Sequence, residues 1–302
     1  MQKCCLHWQN ESGSLPQAVQ PDTPTLTLTS YPELNMAACL FEVNKHIATV
    51  TINRPERRNA FNPEVIVGLY EAFHEIATNS EIRVAIMTGV GDKAFCAGAD
   101  LGEVIPLMTG TREPQNEFDR RYADDISKKG MYLINNDPVK PVIAAINGHA
   151  IAGGMEFVQG TDIRVSVPTA KFGVQEVKHA IFPAGASTVR LPRQIPYAKA
   201  MELLLTGDLI TADEALSLGF LNYVVEPAEL MPKAMEIAEK LAANGPIAVQ
   251  AIRKSVREVW GHPEKEAMKI ESAHARPVFA SDDAVEGPKA FMEKRAPMYK
   301  GR

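Results

Sequence analysis

Two carboxylates and two glycine-rich turns are the residues of this sequence whose types and spacing could do chemistry. Glu156 closely follows Gly153-Gly154, and Glu176 lies further along, after Gly173. Where a glycine turn opens a helix, backbone N–H groups point outward at the positive end of the helix dipole. Such donors could stabilise a developing oxyanion, and removing one typically costs about 2.7–4 kcal/mol of barrier.

Glu156 and Glu176 could work as an acid–base pair. In a partly apolar pocket, two neighbouring carboxyl groups have their pKa values pushed apart, so that one keeps its proton while the other activates water. This pairing is sufficient to add water across an activated double bond. The residues alone leave an alternative open, in which Glu156 merely favours a helix N-terminus and Glu176 is a solvated loop acid.

Short apolar runs of β-forming residues precede both turns and predict the strands that position them. Val142–Ile146 is one such run, and the apolar segment of residues 155–159, which Gly153-Gly154 opens, predicts a helix. Residues 84–87 are another, and they lead to the small residues around Gly98, where the N–H of Ala99 could reach a ligand. Strands alternating with helices predict an α/β fold with helices packed on the sheet.

The remaining pattern predicts further strands and helices. A strand pair is expected between residues 40 and 53, and a helix is expected to begin at Asn62-Pro63-Glu64. Residues 102–131 are rich in charge, which is typical of a solvated helix face, and residues 171–191 are rich in loop signals. Helices are then predicted over residues 197–205, 211–216, 227–243 and 246–260, followed by polar helical segments up to residue 302.

Composition divides the chain into three parts. Residues 1–36 are rich in proline, serine, threonine and glutamine and show no periodicity, which predicts a disordered leader. Residues 37–226 form the predicted α/β core, and residues 227–302 form a helical C-terminal region.

Charge, apolar content and cysteine usage exclude several classes of protein. The net charge of −5 argues against a nucleic-acid binder that relies on broad electrostatics. No apolar run approaches the roughly 18 residues that a membrane span needs. The four cysteines show no metal-ligand spacing and are too few for a disulfide scaffold. A reducing compartment is therefore expected, and we assign the protein to the cytoplasm, away from membranes and nucleic acids.

An ordered set of motifs resembles the crotonase (enoyl-CoA hydratase/isomerase) superfamily. Phe-Cys-Ala-Gly-Ala-Asp-Leu ends at Leu101, and Asn-Gly-x-Ala-x-x-Gly-Gly-x-Glu ends at Glu156. The likeness covers about residues 41–299, and it implies a crotonase (ClpP-like) fold of repeated β-β-α units with a helical C-terminal trimerisation region. Further matching motifs, in the same order along the chain, are Asn53-Arg54-Pro55, Asn59-Ala60-Phe61, Lys171-Phe172-Gly173 and Leu205-Thr206-Gly207.

The resemblance also implies roles for individual residues. Ala99 and Gly153 would supply the two oxyanion N–H groups, while Glu156 and Glu176 would hold and activate the water. The chemistry needs no metal ion, and no cofactor is expected because coenzyme A is part of the acyl-CoA substrate. Coenzyme A would be bound by Arg57, Arg58, Ala60, Ala97, Asp100 and Leu101, with Phe291 and Lys294 touching the ligand of a neighbouring subunit in a homotrimer or a dimer of trimers.

The activity that the resemblance implies is hydration of a 2-enoyl-CoA to a 3-hydroxyacyl-CoA, or the reverse dehydration. One alternative is an enoyl-CoA isomerase or another acyl-CoA lyase on the same fold, and a second is a non-catalytic binding member. Two departures bear on the choice, because Gln175 stands where many hydratases have proline and residues 182–188 hold fewer glycines. His149 and His179 are expected to be structural.

Overall fold

The described strands form two sheets, and the larger one carries the core. Its six strands lie in the order β1-β2-β3-β5-β7-β10, and all neighbours are parallel except the β1–β2 pair. The smaller sheet has the order β4-β6-β8-β9, with β9 antiparallel to β8. The strands are β1 (Cys39–Asn44), β2 (Ile47–Ile52), β3 (Val84–Gly89), β4 (Ala94–Cys96), β5 (Val142–Ile146), β6 (His149–Ile151), β7 (Ile163–Ser166), β8 (Lys171–Gly173), β9 (Ile210–Thr211) and β10 (Tyr223–Val224).

Helices pack against the larger sheet, and further helices come after the strands of the smaller sheet along the chain. Strands β3 and β5 are buried along their whole length, as expected for parallel strands covered on both faces. The α-helices are α1 (Pro63–Thr78), α2 (Val104–Met108), α3 (Glu117–Ala123), α4 (Gly153–Gln159), α5 (Ser187–Gln194), α6 (Tyr197–Thr206), α7 (Ala212–Ser217), α8 (Leu230–Ala242), α9 (Pro246–Glu258), α10 (Glu264–Phe279) and α11 (Asp282–Met292). Helix α1 packs on β1 and β2, and α8 packs on β3, β5 and β7.

This computed structural model describes residues 37–124, 133 and 137–302. They lie within one compact unit, Glu33–Arg302. The predicted leader, residues 1–36, lies outside the described residues, as do residues 125–131 of the charged segment. Helix α8 belongs to the predicted C-terminal region yet lies against the core sheet. The boundary at residue 227 stays a prediction.

Several local predictions are confirmed. The antiparallel pair β1–β2 turns at Lys45, which has a φ of 55°. The side chain of Asn62 caps α1 by accepting from the Val65 N–H at 2.9 Å. The helix predicted over residues 211–216 is present as α7, and Thr211 and Glu214 form a reciprocal capping box at its start. These features are local in sequence, which is why short motifs predict them.

Asp119 contradicts the prediction that the charged segment is a solvated helix face. Its side chain is only 2% exposed and accepts from the Arg112 guanidinium at 2.6 Å and from the Gln115 N–H at 2.9 Å. A buried carboxylate is tolerated here because a charged partner and backbone donors satisfy it. The prediction holds for Glu117, Arg120 and Asp124, which are exposed, and is wrong for Asp119 because its partner arginine comes from the preceding loop.

Helix α5 was not predicted, because residues 171–191 carry loop signals. Pro192 lies inside this helix. Ala186, the residue that precedes the helix, adopts a left-handed conformation with a φ of 79°. Non-glycine residues seldom adopt this conformation, so the sequence gives no start signal. Packing of α5 against α4 stabilises the helix instead.

In the part of the chain that the structure describes, no helix is both long enough and apolar enough to cross a membrane. Among the same residues, no group of three histidine, cysteine, aspartate or glutamate side chains is placed to hold a metal ion.

Candidate active site

A cavity of about 350 Å³ brings together both glycine turns and both glutamates. It opens where the chain leaves β4, β6 and β8, which are neighbours in the smaller sheet. Predicted site residues that line it are Ala97, Ala99, Leu101, Gly153, Glu156 and Glu176. The structure therefore brings these predicted residues together in one cavity, and their roles stay predictions.

The turns at Gly98 and Gly153 touch one another. Gly98 has a φ of +94°, and a Cβ placed on it would come within 2.9 Å of both the Gly153 nitrogen and the Ala152 Cβ. Gly153 is the first residue of α4, so its N–H has no acceptor within the helix. Within the described residues, neither the Gly153 N–H nor the Ala99 N–H donates to a protein acceptor. The two turns therefore bring two N–H groups without a described protein acceptor, those of Ala99 and Gly153, close together.

Close packing fixes the relative positions of these two turns. A Cβ on Gly154 would overlap the carbonyl oxygen of Cys96, so only glycine lets α4 approach β4 this closely. Ala152, which precedes α4, has φ 51° and ψ −124°. Alanine rarely adopts such backbone angles, and strain of this kind is typically on the order of 1–3 kcal/mol.

Glu156 lies in the first turn of α4 and is 2% exposed. Its Oε1 accepts from the Gly185 N–H at 2.8 Å and from the Ser187 N–H at 3.4 Å. Burial and the neighbouring Glu176 carboxylate raise its pKa to about 7, although hydrogen bonds from Ser187 and Gly185 oppose this rise. This carboxyl group can therefore either give or take a proton near neutral pH.

Glu176 opens a short 3-10 helix, Glu176–His179, directly after β8. Burial raises the pKa of its carboxyl group, against its own backbone hydrogen bond and the nearby His179. Its Oε2 is buried and has no hydrogen-bond partner among the described residues. Burial of this oxygen argues against a fully solvated loop acid, although Glu176 as a whole is only partly buried, and its role stays a prediction.

The wall of the cavity away from the glutamates is mainly apolar. Tyr122, on α3, is 7% exposed, and burial raises the pKa of its phenol. The side chains that form this wall are Ile105, Met108, Tyr122, Ile151, Ile181 and Phe182. They come from α2, α3, β6 and the loop before α5, so no single sequence motif contains them.

Gln175 and the two histidines that drew attention in the sequence occupy different environments. Gln175 lines the cavity, while its side-chain amide donates to the Gly207 carbonyl at 3.3 Å. His149 Nδ1 accepts from the Lys171 N–H at 3.1 Å, which is a structural contact. His179 also lines the cavity, where it lowers the pKa of Glu176.

The residues predicted to bind coenzyme A are not all brought together in this chain. The Arg58 carbonyl accepts from the Ala97 N–H at 3.1 Å, so the exposed Arg57-Arg58 turn lies beside the cavity rim. Asp100 forms an ion pair with Arg54 at 3.3 Å, outside the cavity lining. Ala60 is buried near this turn.

Phe291 and Lys294 lie at the end of α11 and just beyond it, and neither lines the cavity. Phe291 is 85% exposed. The contact of these two residues with a neighbouring subunit's ligand stays a prediction.

Comparison with known proteins identifies the family. The model of the enoyl-CoA hydratase/isomerase family matches residues 42–302. The chain belongs to the enoyl-CoA hydratase/isomerase family. An enoyl-CoA hydratase, EchA19, from Mycobacterium tuberculosis is 45% identical over 87% of the chain and 96% of its own length. A crotonyl-CoA hydratase from Syntrophomonas wolfei is 36% identical over 85% of the chain and 95% of its own length.

Solved structures agree with this family assignment. The crystal structure of the enoyl-CoA hydratase EchA1 from Mycobacterium marinum is similar, with a TM-score of 0.79 and 36% identity. The match covers 88% of this chain and 100% of that one. The predicted crotonase fold, an α/β core followed by a helical C-terminal region, is therefore confirmed for this hydratase/isomerase family member.

Proposed function

We propose that this protein adds water to a 2-enoyl-CoA to give a 3-hydroxyacyl-CoA, or catalyses the reverse dehydration. The observation that carries the proposal is one cavity lined by Glu156 and Glu176, both with raised pKa, and by Ala99 and Gly153, whose N–H groups have no acceptor among the described residues. The hydratase names of its relatives support the same reaction.

The two N–H groups would bind the thioester carbonyl oxygen. As an oxygen nucleophile adds to C3, negative charge moves through the conjugated system onto that oxygen. The Ala99 and Gly153 donors are fixed before the reaction begins, so they stabilise this charge without reorganising.

The two glutamates would hold the water and move its protons. One carboxylate takes a proton from water as the water oxygen bonds to C3, and the other carboxyl group delivers a proton to C2. The product has gained one water, and the pair still holds one proton between its two members. Because both glutamates line one cavity, syn addition is expected.

The apolar wall would take the acyl chain, and the Arg57-Arg58 turn would bind the phosphates of coenzyme A. Backbone and side chains of Ala60, Ala97, Asp100 and Leu101 would line the path of its adenine and pantetheine. This hydration needs no cofactor besides the coenzyme A of the substrate. We place the enzyme in the cytoplasm as a homotrimer or a dimer of trimers, in which Phe291 and Lys294 reach a neighbour's ligand.

Crotonyl-CoA in ¹⁸O-labelled water tests the proposal. Loss of the ultraviolet absorbance of the conjugated thioester, together with one labelled oxygen in the product by mass spectrometry, is the expected result. An isomerase would rearrange a 3-enoyl-CoA and incorporate no label. A protein that binds no acyl-CoA at all would belong to the non-catalytic class.

A further inference from the structure

A buried side-chain network lies behind Glu156, on the side of α5. Ser187 is the first residue of α5 and is 0% exposed, and Gln159 on α4 is 2% exposed. The Gln159 side-chain amide donates to the Ser187 hydroxyl oxygen at 2.9 Å. Gln159 follows Glu156 by about one helical turn, so the two side chains lie on the same face of α4.

Neighbouring side chains hold Gln159 in place. Its backbone carbonyl accepts from Gln194 Nε2 at 2.9 Å and from Arg164 Nη2 at 3.2 Å. Arg164 is itself buried and also donates to the Phe220 carbonyl at 3.0 Å. The donor that reaches Ser187 is therefore attached to a rigid part of the core.

The donor inventory of a serine hydroxyl fixes what it offers to Glu156. A hydroxyl has one proton and two lone pairs. Because Gln159 donates to the oxygen, one lone pair is used and the hydroxyl proton is free for another acceptor. The Ser187 backbone nitrogen lies 3.4 Å from Glu156 Oε1, and the Ser187 side chain is also placed to hydrogen-bond to the Glu156 carboxylate. The hydroxyl acts to lower the pKa of Glu156, in opposition to burial.

Charged residues on other elements also affect the pKa of Glu156, and their effects are separate from that of the Ser187 hydroxyl. Glu176, after β8, raises the pKa of Glu156 by repulsion. Arg190, on α5, lies close enough for the two charges to attract. His179 acts on Glu176 rather than on Glu156 directly. Removing one hydroxyl changes none of these charges.

We propose that Ser187 is a positioning residue for Glu156: its hydroxyl, oriented by Gln159, donates to the Glu156 carboxylate and holds that group in place for proton transfer. This inference rests on the proposed hydration for its role in turnover. The contact itself does not depend on which reaction is catalysed.

Ser187→Ala removes the hydroxyl and keeps the backbone N–H, and Thr188→Ala is the matched control because the Thr188 side chain is exposed. We would measure kcat/KM for crotonyl-CoA across pH, and titrate Glu156 by its carboxyl infrared band, identified with Glu156→Gln. In Ser187→Ala, the apparent pKa of Glu156 should rise by about one pH unit, the size expected for a lost hydrogen bond to a charged group. The Thr188→Ala variant should match wild type.

The infrared titration separates failure of this inference from failure of the proposed function. If no hydration occurs, the band still reports whether Ser187 acts on Glu156. An unchanged Glu156 titration in Ser187→Ala overturns the inference, as does an equal rise in Thr188→Ala. Ser187→Gly, which also lacks the hydroxyl, should show the same rise and guards against an effect peculiar to the alanine variant.

Discussion

At the scale of single residues, the ionisation of Glu156 links the site to stability. Its folded pKa is about 7, against an ordinary value of 4.5. Between these pH values the folded protein keeps a proton that the unfolded chain has released. This stability is fully present below pH 4.5 and is lost as pH rises through about 7, by on the order of 3 kcal/mol.

Urea unfolding of wild type and Glu156→Gln over this pH range checks the sign. Because glutamine cannot ionise, the free energy of unfolding of the variant should fall less as pH rises. The raised pKa of Glu176 should leave part of the fall in place. Glu239→Gln changes an exposed glutamate and should follow wild type. Parallel curves for Glu156→Gln and wild type would contradict the account.

Gly98 tests the geometry of the oxyanion donors. A methyl group there would lie 2.9 Å from the Gly153 nitrogen and from the Ala152 Cβ, at a φ of +94°. Gly98→Ala should therefore displace the donors and lower kcat by about 10²–10³.

Gly261→Ala is the control, because Gly261 has a φ of +93° and open space around it. It carries the same backbone strain without the contact at the site. Steady-state kinetics with crotonyl-CoA should show full activity for Gly261→Ala, and equal losses in both variants would refute the steric argument.

At the scale of elements, the strained backbone of Ala152 before α4 lowers the stability of the folded protein at the candidate site. Ala152 adopts φ 51° and ψ −124°, angles that glycine tolerates. Ala152→Gly should raise the free energy of unfolding by about 1 kcal/mol, after allowing for the greater freedom of glycine in the unfolded chain.

Urea unfolding of Ala152→Gly measures this gain, with Ala150→Gly as control. Ala150 is fully buried in β6 and is not among the described residues with positive φ. Removing its methyl group in Ala150→Gly should therefore lower the free energy of unfolding. A lower stability of Ala152→Gly would show that the strain is not relieved by glycine.

At the scale of the whole molecule, several large apolar side chains are exposed on the last helices and just beyond them. Phe279 is 82% exposed and Phe291 is 85% exposed, and Val285, Met292 and Met298 are also exposed. Clusters of this kind mark interaction surfaces. They support the proposed trimer or dimer of trimers.

Analytical ultracentrifugation should find trimers or hexamers for wild type and smaller species for Phe291→Asp. Val43→Asp changes a half-exposed residue of β1, far from this cluster in sequence, and should leave the assembly intact. A monomeric wild type would remove the proposed role of Phe291 and Lys294.

The sequence predicts those parts of the molecule whose cause is local. Ala99, Gly153 and Glu156 each follow a strand in a short motif, so their meeting in one cavity could be foreseen. Burial of Asp119 could not, because it depends on Arg112 folding back over α3. The Ser187–Gln159 contact was equally hidden, since it exists only because α5 packs on α4.

The most direct test of the two-carboxylate account is the rate of crotonyl-CoA hydration by wild type, Glu156→Gln and Glu176→Gln. Each substitution keeps the shape of the side chain and removes its ability to transfer a proton. The account predicts that each variant still binds the thioester but loses about 10²–10⁴ in kcat. Hydration by either variant at close to the wild-type rate would contradict it.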